Sequence, residues 1–148
     1  VLEQVMRMMR LVAQERQVEL TDTAGQGCTV LATRDEIYQV IYNLTDNALK
    51  YTPPGGWVRV DLEQRQAQVI LSVTDNGPGI PEADLPRIFQ RFYRVDKARS
   101  RAAGGTGLGL SIVSDTVSKR GGSVKAVNRP GGGSVFTVCW PRQEEGSA

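Results

Sequence analysis

Asn43, Asp46, Asn47 and Lys50 are spaced so that a single face of a helix would carry all of them. With each residue advancing about 100° around the axis, they share one sector, and Ile37, Val40, Ile41, Leu44 and Ala48 share the apolar sector beside it. A lone Asn or Lys on a helix is ordinarily a solvated residue. Asn is a mediocre helix former, however, and two amides one turn apart with an ammonium in the next turn make a row of ligands that suits a hydrated magnesium bearing phosphates. Further along, Asp75-Asn76-Gly77-Pro78-Gly79-Ile80 directly follows an apolar segment. That order presents a carboxylate at a strand's end, with Gly77 and Gly79 permitting close approach of a flat ligand, although the same dipeptides also make ordinary turns. A second cluster, Gly104-Gly105-Thr106-Gly107-Leu108-Gly109-Leu110, opens a helical pattern and would turn unpaired backbone N–H groups toward an anion, or serve as a hinge. Neither cluster continues into Gly-Lys-Ser or Gly-Lys-Thr, and neither is a full GxGxxG behind a strand, so the standard mononucleotide and dinucleotide loops are excluded.

Composition narrows the chemistry further. The chain contains no histidine, which removes Ser-His-Asp and Cys-His nucleophiles, His-ligated metals and any imidazole base. Eighteen Lys and Arg against 16 Asp and Glu leave a formal charge of +2, no electrostatic footprint for nucleic acid or an acidic membrane. Cys28 and Cys139 lie far apart with no CxxC, the usage of a reducing compartment. No apolar run approaches the roughly 18 residues that span a bilayer, which predicts a soluble chain. The start at Val1, already inside a helical pattern, reads as a piece of something longer.

The elements that must hold these residues follow from periodicity. Val1, Val5, Met8 and Val12 predict a helix over residues 1 to about 17 with one buried stripe. Val18 to Leu20 and Cys28 to Leu31 read as short strands. Thr33 and Glu36 form a capping-box signal for a helix from about 35 that Pro53 ends. Trp57 to Leu62 and Gln68 to Thr74 predict a hairpin, Ala83 to Phe89 a short helix with Phe89 and Phe92 in the core, Leu108 to about Lys119 a further helix, and Ser123 to Asn128 and Ser134 to Trp140 the closing strands. The sum is a single α/β domain over residues 1–148 with a disordered tail from 141, built as a two-layer sandwich: a mixed sheet of about five strands covered by helices on one face.

In segment order the chain resembles the catalytic, ATP-binding domain of bacterial two-component sensor histidine kinases. Asn43 to Pro53 looks like that family's N box, Asp75 to Ile80 like its G1 box, Ile88 to Tyr93 like its F box, and Gly104 to Leu110 like its G2 box. The resemblance implies the Bergerat-type fold shared with gyrase, a heat-shock chaperone ATPase and mismatch-repair ATPases, and it implies ATP and Mg2+ as cofactors. By the same resemblance Asn47 would hold magnesium with Asn43 beside it, Lys50 would reach the phosphates, and Tyr51 would pack on the adenine. Asp75 would accept a hydrogen bond from the adenine amino group, Gly77 and Gly79 would admit the base, and Ile80 would line its pocket. Arg94 to Ala103 would form a mobile ATP lid, and Gly105, Thr106, Gly107, Leu108 and Gly109 would turn backbone toward the phosphates. Where the family often has a His before its late Gly-Gly pair, this chain has Arg120.

The function so implied is transfer of the ATP γ-phosphoryl group to a histidine that this chain lacks, on a separate dimerisation and phosphoacceptor domain. A response regulator would be an indirect partner, nucleic acid and membrane would not be contacted, and the segment would lie in the cytoplasmic part of a membrane-bound sensor. In the related ATPases the position of Asn43 typically carries a Glu that activates water, and an amide cannot take that proton. The rival readings are an ATP-hydrolysing conformational machine, a non-catalytic ATP-binding module and an anti-sigma-factor kinase acting on serine.

Overall fold

The computed structural model describes residues 1–23, 30, 32–93 and 109–141. Helix α1 spans Leu2–Glu15, strand β1 Glu19–Thr23, helix α2 Arg34–Tyr51, strands β2 and β3 Trp57–Arg65 and Gln68–Asp75, helix α3 Gly109–Lys119, and strands β4 and β5 Ser123–Asn128 and Ser134–Pro141. The strands form one mixed sheet in the order β1-β2-β3-β5-β4. β1 runs parallel to β2, because α2 carries the chain back across the sheet between them, and every other pair is antiparallel. Pro141 closes β5; residues 142–148 of the expected tail, all of the expected second strand but Val30, and the expected lid lie outside the described residues.

Alternation along each strand turns one face inward. The register aligns Val60, Val73, Phe136 and Ala126 in one row across the sheet and Leu62, Leu71, Val138 and Val124 in the next. The helices cover this face, with α2 between α1 and α3, so the expected two-layer α/β sandwich is the observed one. The opposite face carries Arg59, Asp61, Ser72, Thr137 and Lys125, polar as an uncovered antiparallel face should be.

α2 begins where the capping box places it. The Thr33 hydroxyl accepts the Glu36 N–H at 3.1 Å and the Glu36 carboxylate accepts the Thr33 N–H at 3.0 Å. Its end is set by Pro53, which excludes helical dihedrals at Thr52 (φ −88°, ψ 124°). Three expectations need correction: the buried stripe of α1, the helix after β3 and the burial of Phe92. The buried stripe of α1 is Val5, Met6, Met9 and Ala13, with Val1 and Val12 only partly covered and Met8 38% exposed. Apolar residues occur on more than one side of this helix, and packing against β1 and α2 chose among them. The expected helix from Ala83 to Phe89 is a single 3₁₀ turn, Leu85–Arg87. Phe89 does pack on the core, edge-to-face with Phe136 at 6.1 Å, whereas Phe92 takes a left-handed φ of 65° and is 63% exposed, beneath the Arg91 guanidinium. Without a helix through this segment, the three-residue spacing of the two rings does not put them on one side.

Glu36 does more than cap. Both its oxygens receive hydrogen bonds from Arg120, just past the end of α3, the Nε contact measuring 3.1 Å, and Lys119 Nζ lies 3.5 Å away. The Arg120 bonds, and then that from the Thr33 N–H, hold the Glu36 carboxyl far below its ordinary value of 4.5, against the opposing effect of burial. A lowered folded-state value contributes stability that is complete above the unfolded value and is lost as pH falls toward the folded one. The melting temperature should therefore decline on acidification from about pH 4.5 downward. Glu36→Gln should melt lower at neutral pH and show a shallower acid decline; parallel melting curves against pH for the two proteins would remove Glu36 as the cause.

Candidate functional site

The Glu36–Arg120 pair joins the start of α2 to the end of α3, so the two helices run antiparallel and the start of α3 lies partway along α2. There Gly109 faces Asn43: a Cβ on this glycine would sit 3.6 Å from Asn43 Oδ1. Asn43, Asp46, Asn47 and Lys50 are all half-buried, beside the fully buried Val40, Ile41, Leu44 and Ala48, so this sector is not a freely solvated face. Lys50 Nζ is held 3.0 Å from Asp46 Oδ2. An ion pair at this spacing keeps the ammonium along the helix, and it must exchange partners to reach a ligand.

The other end of the site is built from β3 and the turn between β4 and β5. Asp75, the last residue of β3, is 7% exposed. Its Oδ1 accepts the Gly77 N–H at 2.9 Å and its Oδ2 accepts the Ser134 hydroxyl at 2.8 Å. Each carboxylate oxygen keeps acceptor capacity for a further donor. A Cβ on Gly77 would lie 3.1 Å from both Asp75 Oδ1 and the Tyr51 carbonyl oxygen, so the loop after β3 presses against the end of α2. Gly79 has φ +81°, and a Cβ there would meet Asn128 Oδ1 at 3.0 Å; the conformation and the space both call for glycine. Ile80 packs partly on the core.

Sequence reasoning missed the residues that support Asp75 from the far side. Gly133 (φ +97°) is so close that a Cβ would lie 1.9 Å from the Asp75 carbonyl oxygen. Arg129 donates to that carbonyl at 3.4 Å and to the Gly132 carbonyl at 3.3 Å, with its guanidinium 4.8 Å from the centre of the Trp57 ring. Ser134 completes the set, while Asn128 bonds the backbone of Ile80. Only the Gly131-Gly132-Gly133 run marked this turn in the sequence. Of the expected site residues, the structure brings Asn43 beside Gly109, and Gly77 between Asp75 and the backbone carbonyl of Tyr51; Arg94, Gly105, Thr106, Gly107 and Leu108 lie outside the described residues.

As a donor set, α2 offers the amides of Asn43 and Asn47, and among the described residues no three His, Cys, Asp or Glu side chains gather at metal-binding distance. Such a set fits a hard cation that takes much of its oxygen shell from phosphates and water. The buried carboxylate and the glycines around it fit a flat base with a hydrogen-bond donor on its edge. Also among the described residues, no helix is long and apolar enough to cross a membrane.

Comparison with known proteins agrees with this architecture. Residues 32–144 match the model of the histidine kinase-, DNA gyrase B- and HSP90-like ATPases. The chain is 42% identical over 132 residues to the sensor-like histidine kinase SenX3 of Mycolicibacterium smegmatis, covering 89% of this chain and 34% of SenX3. It is 40% identical over 151 residues to the sensor histidine kinase WalK of Bacillus subtilis, covering 96% of this chain and 25% of WalK. The chain thus spans about a third or less of these relatives. Among solved structures, the catalytic domain of histidine kinase ThkA superposes with a TM-score of 0.82 at 29% identity, covering 95% of this chain and 90% of that one. Full-length ShkA in complex with AMPPNP superposes with a TM-score of 0.82 at 30% identity, covering 99% of this chain and 30% of ShkA. With the family model spanning most of its length and sensor kinases among its relatives, the chain belongs to the histidine kinase-, DNA gyrase B- and HSP90-like ATPase family, as a catalytic domain homologous to the ATP-binding domains of sensor histidine kinases.

Proposed function

We propose that this domain binds MgATP between Asp75 and the start of α3 and transfers the γ-phosphoryl group to a histidine on the dimerisation and phosphoacceptor domain of its parent kinase. From Asn43 to Tyr51 the α2 axis rises about 12 Å, a length suited to a nucleotide laid from base to phosphates. At the base end, Asp75 accepts the adenine amino group, Gly77, Gly79 and Ile80 shape the pocket, and Tyr51 packs on the ring. At the phosphate end, Asn47 and Asn43 hold magnesium, Lys50 exchanges Asp46 for a phosphate oxygen, and the backbone of Gly105, Thr106, Gly107, Leu108 and Gly109 completes the cradle. Magnesium supplies charge neutralisation there; the protein's share is positioning, which is most of what phosphoryl transfer through a loose transition state requires.

The observation that carries this reading is Asn43, an amide against the start of α3 in a chain without histidine. An amide at this position cannot take a proton from water, and it favours transfer to an acceptor imidazole, itself a competent neutral nucleophile, over hydrolysis. The complex of ShkA with AMPPNP and that of ThkA with the response regulator protein TrrA support the nucleotide and the partner class. The parent protein on this reading is a bacterial sensor with this domain in the cytoplasm, and a response regulator takes the phosphoryl group afterwards.

The test is a reaction in trans. The isolated chain with radiolabelled MgATP should not label itself and should hydrolyse ATP slowly, yet it should label a separately supplied phosphoacceptor domain of its own kinase. Covalent linkage normally provides an effective concentration in the millimolar range, about 1 mM, so the rate in trans should be slow and should rise with acceptor concentration. The label should be acid-labile and alkali-stable, as a phosphoramidate is. Brisk hydrolysis without acceptor would support the conformational ATPase instead, and an acid-stable phosphoserine the anti-sigma-factor kinase.

A further inference from the structure

The loop from Asn76 to Pro81 has no ladder of its own, yet the backbone of Ile80 is fully paired by one side chain from 48 residues away. Asn128 Oδ1 accepts the Ile80 N–H at 2.7 Å, and Asn128 Nδ2 donates to the Ile80 carbonyl at 2.6 Å. The amide thus stands in for a neighbouring strand and fixes the peptide planes on both sides of Ile80. Asn128 is the last residue of β4, and its partner in the ladder is Ser134, whose hydroxyl holds Asp75 Oδ2. A single rung of the β4–β5 ladder therefore grips both ends of the segment, Ser134 at Asp75 and Asn128 at Ile80. Gly79 lies against the same amide. Asn128 is itself exposed and outside the hydrophobic core, so the consequence of its bonds is confined to this loop.

From this we infer that Asn128 is a positioning residue for nucleotide affinity: it sets the base end of the site through Ile80 and Gly79 without touching the nucleotide. The inference rests on the proposed ATP site. Asn128→Ala removes both bonds, and Asn128→Asp keeps the acceptor but places a charge against the Ile80 carbonyl. Each should weaken ATP and adenosine by the same factor, about tenfold. Melting temperature should stay within a few degrees of wild type, as for other exposed positions, and the rate of transfer to the phosphoacceptor domain at saturating ATP should be unchanged. Titration calorimetry gives the affinities. Wild-type affinity in either variant overturns the inference, as does a loss of saturated rate or a large drop in melting temperature, which would mark a general structural role. Failure of the unmodified chain to bind ATP overturns the proposed site itself and is seen before any variant is made.

Discussion

Asp75→Asn should weaken ATP binding by about fivefold or more while the chain remains folded. The Gly77 N–H can still be met by an amide oxygen, and the Ser134 hydroxyl, which now donates at 2.8 Å, can rotate to accept from the new amide nitrogen. The local structure thus keeps its bonds. The ligand does not: an N–H donor now faces the adenine amino group, and a buried donor left unmatched costs about 1 to 3 kcal/mol, or roughly fivefold to 150-fold in affinity. The same exchange should narrow the preference for ATP over GTP, because guanine presents a carbonyl at that position, which the carboxylate repels and an amide does not. Calorimetric titration with both nucleotides measures this. Unchanged ATP affinity would remove Asp75 from the base pocket.

Asn47→Ala should abolish phosphoryl transfer, by about a hundredfold or more, the scale on which a single preorganised ligand of the reacting charge acts. Alanine is the best helix former, the Asp46–Lys50 pair does not involve Asn47, and Asn47 is only half-buried, so α2 should stay intact. Adenosine, which brings no phosphate and needs no metal, should bind nearly as before, and this separates a metal ligand from a structural residue. Transfer at the wild-type rate would put magnesium elsewhere than on this sector of α2.

What could be read along the chain was whatever depends on neighbours within a turn or a pleat. The division of α2 into an apolar and a polar sector, its start at the Thr33–Glu36 box and its stop before Pro53 obey spacing rules of three or four residues, and the structure reproduces them. So do the hairpin of β2 with β3 and the placing of Asp75 at a strand end with glycines after it. The resemblance of four short segments to known boxes added the fold and the family.

What the tertiary structure decided are the choices for which the chain offered several local answers, and the pairings that no local rule describes. α1 has apolar residues on more than one side, and only contact with β1 and α2 selects Val5, Met6, Met9 and Ala13 over Met8. Phe92 follows Phe89 at helical spacing, but the segment turns outward after a 3₁₀ turn and exposes it. The supports of the candidate site come from still farther away: Asn128 to Ile80 spans 48 residues, Ser134 to Asp75 spans 59 and Arg120 to Glu36 spans 84. A hydrogen bond is specified by the position and direction of two groups. Across such separations those are set by strand order and helix packing, so the residues that steady the site became visible only once the sheet had brought β3 beside β5 and the helices had packed α2 against α3.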